Sequence, residues 1–325
     1  MPSTLRDFLL NKAHLKQKEI LQIQNGQPVT KELNTERREE IALTGVVHIR
    51  VSPEYFLTRI SNFLNFDTGK GHVQNGVFST PPRLSDISGL RWEADDLEKI
   101  RDCNPRDCTS RLPGGDVSLF HHKVDWSSGN AMEQANQLML RLSVEYIKNY
   151  QNYGDDALTS YLQDGKIWSV KQGTHRLLKN SPYLYDRAPE LASYLQNYPK
   201  EKQREAKNIF YWQKFNFGLQ PVIRFNHVVI LPVKDSSHSS YMIGSKMLFA
   251  NHYFRDGLEL RSLIPDQRGK SSGFYLLVIN RSHVDGMTGL KGLFIRGSAI
   301  KESVDKLKRF LTATKVQLER GYKGD

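Results

Sequence analysis

The chain has 325 residues and a formal net charge of +11, with 38% hydrophobic and 10% aromatic residues. That is enough apolar material for one large domain or two ordinary ones, and its longest apolar runs, 228–233 and 274–279, have strand length rather than the roughly 20 residues of a membrane span. The positive excess suits anionic partners such as a membrane surface, but the basic residues are dispersed (Lys12, Lys16, Lys18; Lys200, Lys202, Lys207). Without an Arg-rich arm or an RNA-binding signature, nucleic acid falls outside the expected partners.

Residues 5–24 carry Leu5, Leu9, Leu15, Ile20 and Ile23 on one stripe, the pattern of an amphipathic helix that Asn25-Gly26 ends. A short strand is expected over 28–33 and a stronger one over 42–51, where Val46, Val47, Ile49 and Val51 cluster. Ser52-Pro53-Glu54 then reads as a helix start, with Ser as N-cap and Pro at the first helical position. The helix should run over 54–66, burying Phe56, Ile60, Phe63 and Leu64. A strand over 72–79 sits in a stretch rich in Gly, Ser and Pro, and 90–100 suits one short helix.

The two cysteines, Cys103 and Cys108, flank a turn favoured by Pro105. Their spacing fits neither a C-x-x-C redox motif nor a zinc site, so a local disulfide is expected, which would place the protein in an oxidising compartment. The N-terminal residues lack the apolar core of a signal peptide. The protein is therefore exported if a signal was removed and cytoplasmic otherwise.

From 116 to 208 the pattern is mainly helical, with a long candidate over 131–150, a short one over 155–162, and Pro182, Pro189 and Pro199 dividing the rest. Tyr183, Tyr185, Tyr194 and Tyr198 recur here, as rings buried with wet hydroxyls or as exposed anchors for a partner. From 209 the period changes to two. Ile223, Phe225, His227 and Val229 alternate, residues 241–253 alternate over a long span, and 258–263 and 274–279 follow across a Gly-rich turn. Leu293 to Arg296 suits a last strand. Ser298 then caps a helix reaching about 319, with Ile300, Val304, Leu307, Leu311 and Leu318 on its apolar face. The last third thus reads as a curled antiparallel sheet closed by an amphipathic helix.

A strand ending in Val51-Ser52-Pro53-Glu54 that runs into a helix beginning Tyr55-Phe56-Leu57, with several antiparallel strands later and a long closing helix, resembles the START-like, helix-grip superfamily. The resemblance covers residues 26–80 and 209–319. It implies an α+β fold in which a curved antiparallel sheet grips the C-terminal helix, here with a large helical insertion. The chain then divides into an N-terminal helix (1–25), the first part of the START-like domain (26–115), the insertion (116–208) and the second part (209–325). The chain also resembles a group of uncharacterised bacterial proteins in three segments: 103–113, Ser245-Lys246 through His252-Tyr253-Phe254, and Asn280-Arg281-Ser282 through Asp285-Gly286.

The resemblance implies an apolar cavity for a hydrophobic, lipid-like ligand, with basic surface helping the protein meet anionic membranes. On the 241–253 strand the odd positions are the more apolar, which would place Met247 and Phe249 together in the cavity wall. Lys246 shares parity with His252, while His252 and Asp256, like Arg281 and Asp285, stand four apart. If the sheet gathers them, Lys246, His252, Arg281 and Asp285 form one small charged site. The opposing reading makes them ion pairs that hold strand ends. Lys246, Met247, Phe249, His252 and Arg281 are thus the candidate ligand contacts.

An enzyme in the same cavity is the alternative, with His252 as base, Asp285 orienting it and Arg281 binding a carboxylate or oxyanion. An interaction module working through the helical insertion is the other. His121-His122 with Asp125 lacks a third metal ligand, G-x-S-x-G is absent, and Gly69-Lys70-Gly71 lacks P-loop spacing. No metal and no cofactor are therefore expected, and binding is favoured over catalysis.

Overall fold

Period-two runs pair into one antiparallel sheet of eight strands. At one edge β1 (Val29–Glu32) lies beside β2 (Glu40–Ile49). Next to β2 comes β10 (Phe274–Val284), followed by β9 (Phe254–Pro265), β8 (His238–Ala250), β7 (Val222–Asp235), β6 (Lys207–Phe215) and finally β3 (His72–Phe78). The order places an early strand, β2, against the last one, β10, in a register running from Phe274 opposite Ile49 to His283 opposite Glu40. A separate hairpin joins β4 (Ser160–Gln163) and β5 (Lys166–Ser169). This computed structural model describes residues 1–60, 72–104, 108, 110–113, 117–163, 166–216, 220–235, 238–266, 273–287 and 289–322.

Side chains alternate across each strand, so the sheet has two faces, and helices cover both. On the first face Val47, Ile49, Val228, Ile230, Ile243 and Leu263 pack with Phe56 and Ile60 of α3 (Pro53–Ile60) and with Leu311 and Leu318 of α10 (Gly289–Gly321). Gly45 lets α10 settle on β2. A Cβ there would stand 2.8 Å from Leu311 and 3.0 Å from Leu307, so any other residue would push the helix outward.

The second face has two groups of covering helices. Val46, Val229, Leu231, Met242 and Leu277 meet α1 (Ser3–Asn11), α2 (Gln17–Gln24), α7 (Val170–Lys179), α8 (Pro182–Arg187) and α9 (Pro189–Asn197). Phe210, Phe225, Leu248 and Phe249 meet α4 (Ala94–Asp102), α5 (Ser118–Lys123) and α6 (Ala131–Tyr153). Because both faces are covered, every residue of β2 is buried, as in the continuous apolar strands of layered α/β folds.

Local signals hold where they are strong. The Tyr55 backbone N–H donates to Ser52 Oγ at 3.1 Å, the expected N-cap, and Cys103 and Cys108 are joined by a disulfide. Other expectations change. The first helix divides at 12–16, where His14 takes a φ of 52° and lets both Ala13 and Leu15 turn inward. Residues 155–162 form a 3-10 turn and β4 rather than a helix. Leu293 to Arg296 is helical, because α10 already begins at Gly289; a short apolar run does not distinguish strand from helix by period alone. The helix expected over 54–66 is seen as far as Ile60, and its remainder lies outside the described residues.

Candidate functional site

The sheet face under α10 carries an unexpected belt of polar groups. Cross-strand registers align Val228, Ser245, Glu259, Asn280 and Leu43 in one row, and a neighbouring row contains Tyr211, Asn226 and Met247. Arg261 Nε pairs with Glu259 Oε1 at 2.7 Å, and Asn280 Nδ2 donates to Glu259 Oε2 at 3.3 Å. Phe310 of α10 packs on the Arg261 guanidinium, 5.1 Å from its ring centroid. Asn226 is only 3% exposed, and its Nδ2 has no hydrogen-bond partner among the described residues. Around these groups the wall is apolar, formed by Val228, Ile230, Ile243, Met247 and Val278. An apolar wall with a few placed polar groups is the composition of small-molecule sites, and an unpaired buried amide is costly unless something occupies the space before it.

The residues expected in one site are dispersed by a β-bulge. Phe225 pairs with Phe249 while Asn226 pairs with Met247, so Leu248 is an extra residue in β8 and the facing reverses there. Met247 remains on the α10 face with Val222 and Ala250. Phe249 turns to the other face, 5.1 Å from the Phe225 ring and 5.9 Å from Trp92. The common wall expected for Met247 and Phe249 is thus corrected by the bulge, whereas Lys246 and His252 meet different carboxylates, Asp155 and Asp96.

The four charged candidates make separate pairs, and none pairs with another. Lys246 is fully buried on the second face, with Nζ 2.6 Å from Asp155 Oδ1 and 2.6 Å from the Leu195 carbonyl. His252 Nε2 pairs with Asp96 Oδ1 of α4 at 2.8 Å, not with Asp256. Arg281 Nη1 pairs with Glu40 Oε1 of β2, not with Asp285. Asp285 receives Arg111 at 2.5 Å and Arg255 at 2.7 Å. Arg111 also donates to the Phe254 carbonyl at 2.5 Å. Arg111 thus ties residues 254 and 285 together.

Burial sets the protonation of these groups. It pulls the Lys246 ammonium below its ordinary pKa, with Asp155 opposing the shift. Burial alone would raise Asp155, but hydrogen bonds from His175 and Lys246 bring it below the usual carboxylate value. His227, fully buried between the Tyr150 hydroxyl (3.0 Å) and Asn208 Oδ1 (2.8 Å), is pushed far below its ordinary value by desolvation and stays neutral. Tyr183 and Tyr194 are buried in the packing while Tyr185 is exposed. A surface cleft of about 460 Å³ at the end of α6, between Asn149, Tyr153, Asp156 and Lys200, is lined by none of the α10-face residues.

Sequence reasoning missed Asn226, Ser245, Glu259 and Asn280. Their signal was present as polar positions alternating with apolar ones, which in an isolated strand denotes a solvent face. Of the four, Asn226 is buried by its neighbours, while Ser245, Glu259 and Asn280 are half-buried.

No protein-family model matches the chain, and no curated protein matches its sequence. Among solved structures, the chain is similar to norcoclaurine synthase from Thalictrum flavum, in complex with dopamine and hydroxybenzaldehyde, at 12% identity, covering 44% of this chain and 82% of that one with a TM-score of 0.22. The fold is that of an α+β protein with a large antiparallel sheet, a long C-terminal helix on one face and further helices on the other.

Proposed function

We propose that the chain is a helix-grip protein that binds a hydrophobic, lipid-like ligand between the sheet and α10. The strand order supports the fold reading: β2 closes the sheet against β10, and the helix that follows β10 lies on the same face, with β1 added at the edge. The observation that carries the binding reading is the Asn226 amide, buried beside Val228 and Met247 and unpaired among the described residues. A ligand with an apolar body and one hydrogen-bond acceptor would satisfy it, since leaving such a donor unmet costs about 1–3 kcal/mol. Basic surface would favour delivery to or from anionic membranes.

The test is native mass spectrometry after incubation with a lipid extract, beside the denatured mass. A mass excess that disappears on denaturation is expected, and it should fall about tenfold in occupancy-weighted affinity for Asn226→Leu while Phe249→Leu, on the other face, leaves it unchanged. No excess with any extract, or equal loss in both variants, would defeat the proposal.

A further inference from the structure

Behind the sheet, around Trp168 of the β4–β5 hairpin, the charges do not balance. The Trp168 ring has the Arg176 guanidinium 4.8 Å from its centroid and the Arg255 guanidinium at the same distance, with the His283 ring at 5.2 Å. The nearby carboxylates are already engaged. Asp285 takes Arg111 and Arg255. Glu40 takes Arg281. Asp256, fully buried, accepts from His283 Nδ1 at 2.6 Å and from Trp168 Nε1 at 2.9 Å. Arg176 has no carboxylate partner among the described residues, and its buried Nε has no hydrogen-bond partner there either.

Among the described residues, polar atoms under α7 also lack partners. Gly173 of α7 lies so close over Asp256 that a Cβ would stand 1.8 Å from Oδ2, which places Arg176, one turn further on, beside this carboxylate and its partners. His283 is 1% exposed with Nδ1 committed to Asp256, so its Nε2 lies on the opposite edge of the ring, unpaired. The Arg281 Nε and the Thr174 hydroxyl, 8% and 0% exposed, are unpaired too. Arg281 lies under the C-terminal end of α7, because Glu40, its partner, also accepts from Asn180 at 3.5 Å.

We infer that Arg176, stacked on Trp168 beside Arg255, is the anchor of an oxyanion site for a phosphate or carboxylate group. A guanidinium offers Nε and a neighbouring Nη as a two-point fork for such an anion. The aromatic ring holds that fork in place without consuming its donors. Trp168 and Arg176 are only half-buried, so part of this cluster faces solvent. It lies on the opposite face from the α10 wall and does not depend on that reading.

The experiment titrates the full chain at low salt with inorganic phosphate by calorimetry, and in parallel with phosphatidylcholine vesicles containing phosphatidic acid. Arg176→Ala should weaken binding at least tenfold, and Arg176→Lys nearly as much, because an ammonium keeps the charge but loses the fork. Lys301→Ala, an exposed charge on α10, should change nothing. Phosphate binding that both Arg176 variants lose identifies a free oxyanion as ligand; vesicle binding alone, lost in the same variants, identifies a lipid head group. Absence of binding to either, or binding retained in both Arg176 variants with unchanged circular dichroism, overturns the inference.

Discussion

Lys246 should be the most sensitive charged residue in the protein. Its ammonium is 0% exposed and stands 2.6 Å from an Asp155 carboxylate that is itself 5% exposed. At an effective dielectric constant of about 20, their attraction is on the order of 6 kcal/mol. That is comparable with the several kcal/mol lost per ion on leaving water. The pair as a whole therefore adds little, but removing one member leaves an uncompensated buried charge. Lys246→Met should cost about 3–5 kcal/mol, since Asp155 keeps only His175 at 2.9 Å. Asp155→Asn should also be costly, and the double variant should be more stable than the sum of the single losses by about 2 kcal/mol or more. The assay is urea unfolding followed by tryptophan fluorescence and circular dichroism on all four proteins. A loss below about 1 kcal/mol for Lys246→Met, or simple additivity, would show that water reaches this pair and that the reasoning is wrong.

Acid should expose the buried histidine. Burial holds His227 well below the ordinary value of 6.5, so the unfolded chain takes up a proton that the folded chain refuses. This contribution is complete above pH 6.5 and declines as pH falls toward the folded pKa, by about 1.4 kcal/mol per pH unit. Unfolding curves for His227→Gln should show a slope that is shallower by a growing amount below pH 6.5, approaching about 1.4 kcal/mol per pH unit near pH 5; an unchanged slope would mean the ring is hydrated. Gly45→Val should cost about 1–3 kcal/mol and speed amide exchange in α10, because a β-branched side chain overlaps Leu307 and Leu311. Exchange unchanged from the parent protein would mean that α10 does not rest on Gly45.

Much of the local structure was legible in the residues alone. The Ser52-Pro53 cap, the β-branched run of β2, the period-two strands after 209 and the stripe of Ile300, Leu307, Leu311 and Leu318 are nearest-neighbour signals that hold in any context. The nearby pairing of Cys103 with Cys108 is of the same kind. The partners of the charged residues were not legible. Arg281 meets Glu40 across 241 residues, His252 meets Asp96 across 156, and Lys246 meets Asp155 across 91. Sequence spacing suggested His252 with Asp256 and Arg281 with Asp285, but a strand or turn rarely folds such neighbours onto each other.

The wall under α10 shows the same division. Alternation separated the two faces of each strand, yet one inserted residue, Leu248, reversed the assignment of Phe249 while leaving Met247 in place. How far Asn226, Ser245 and Glu259 are buried depended on their tertiary neighbours: Asn226 is buried, Ser245 and Glu259 are half-buried. The sequence by itself determined the long, strongly periodic strands and helices, because those follow from backbone preference and local periodicity, while short runs such as 155–162 and 293–296 took the opposite form. The tertiary structure decided which charges pair and which strand faces are covered, because those depend on the approach of segments far apart in the chain.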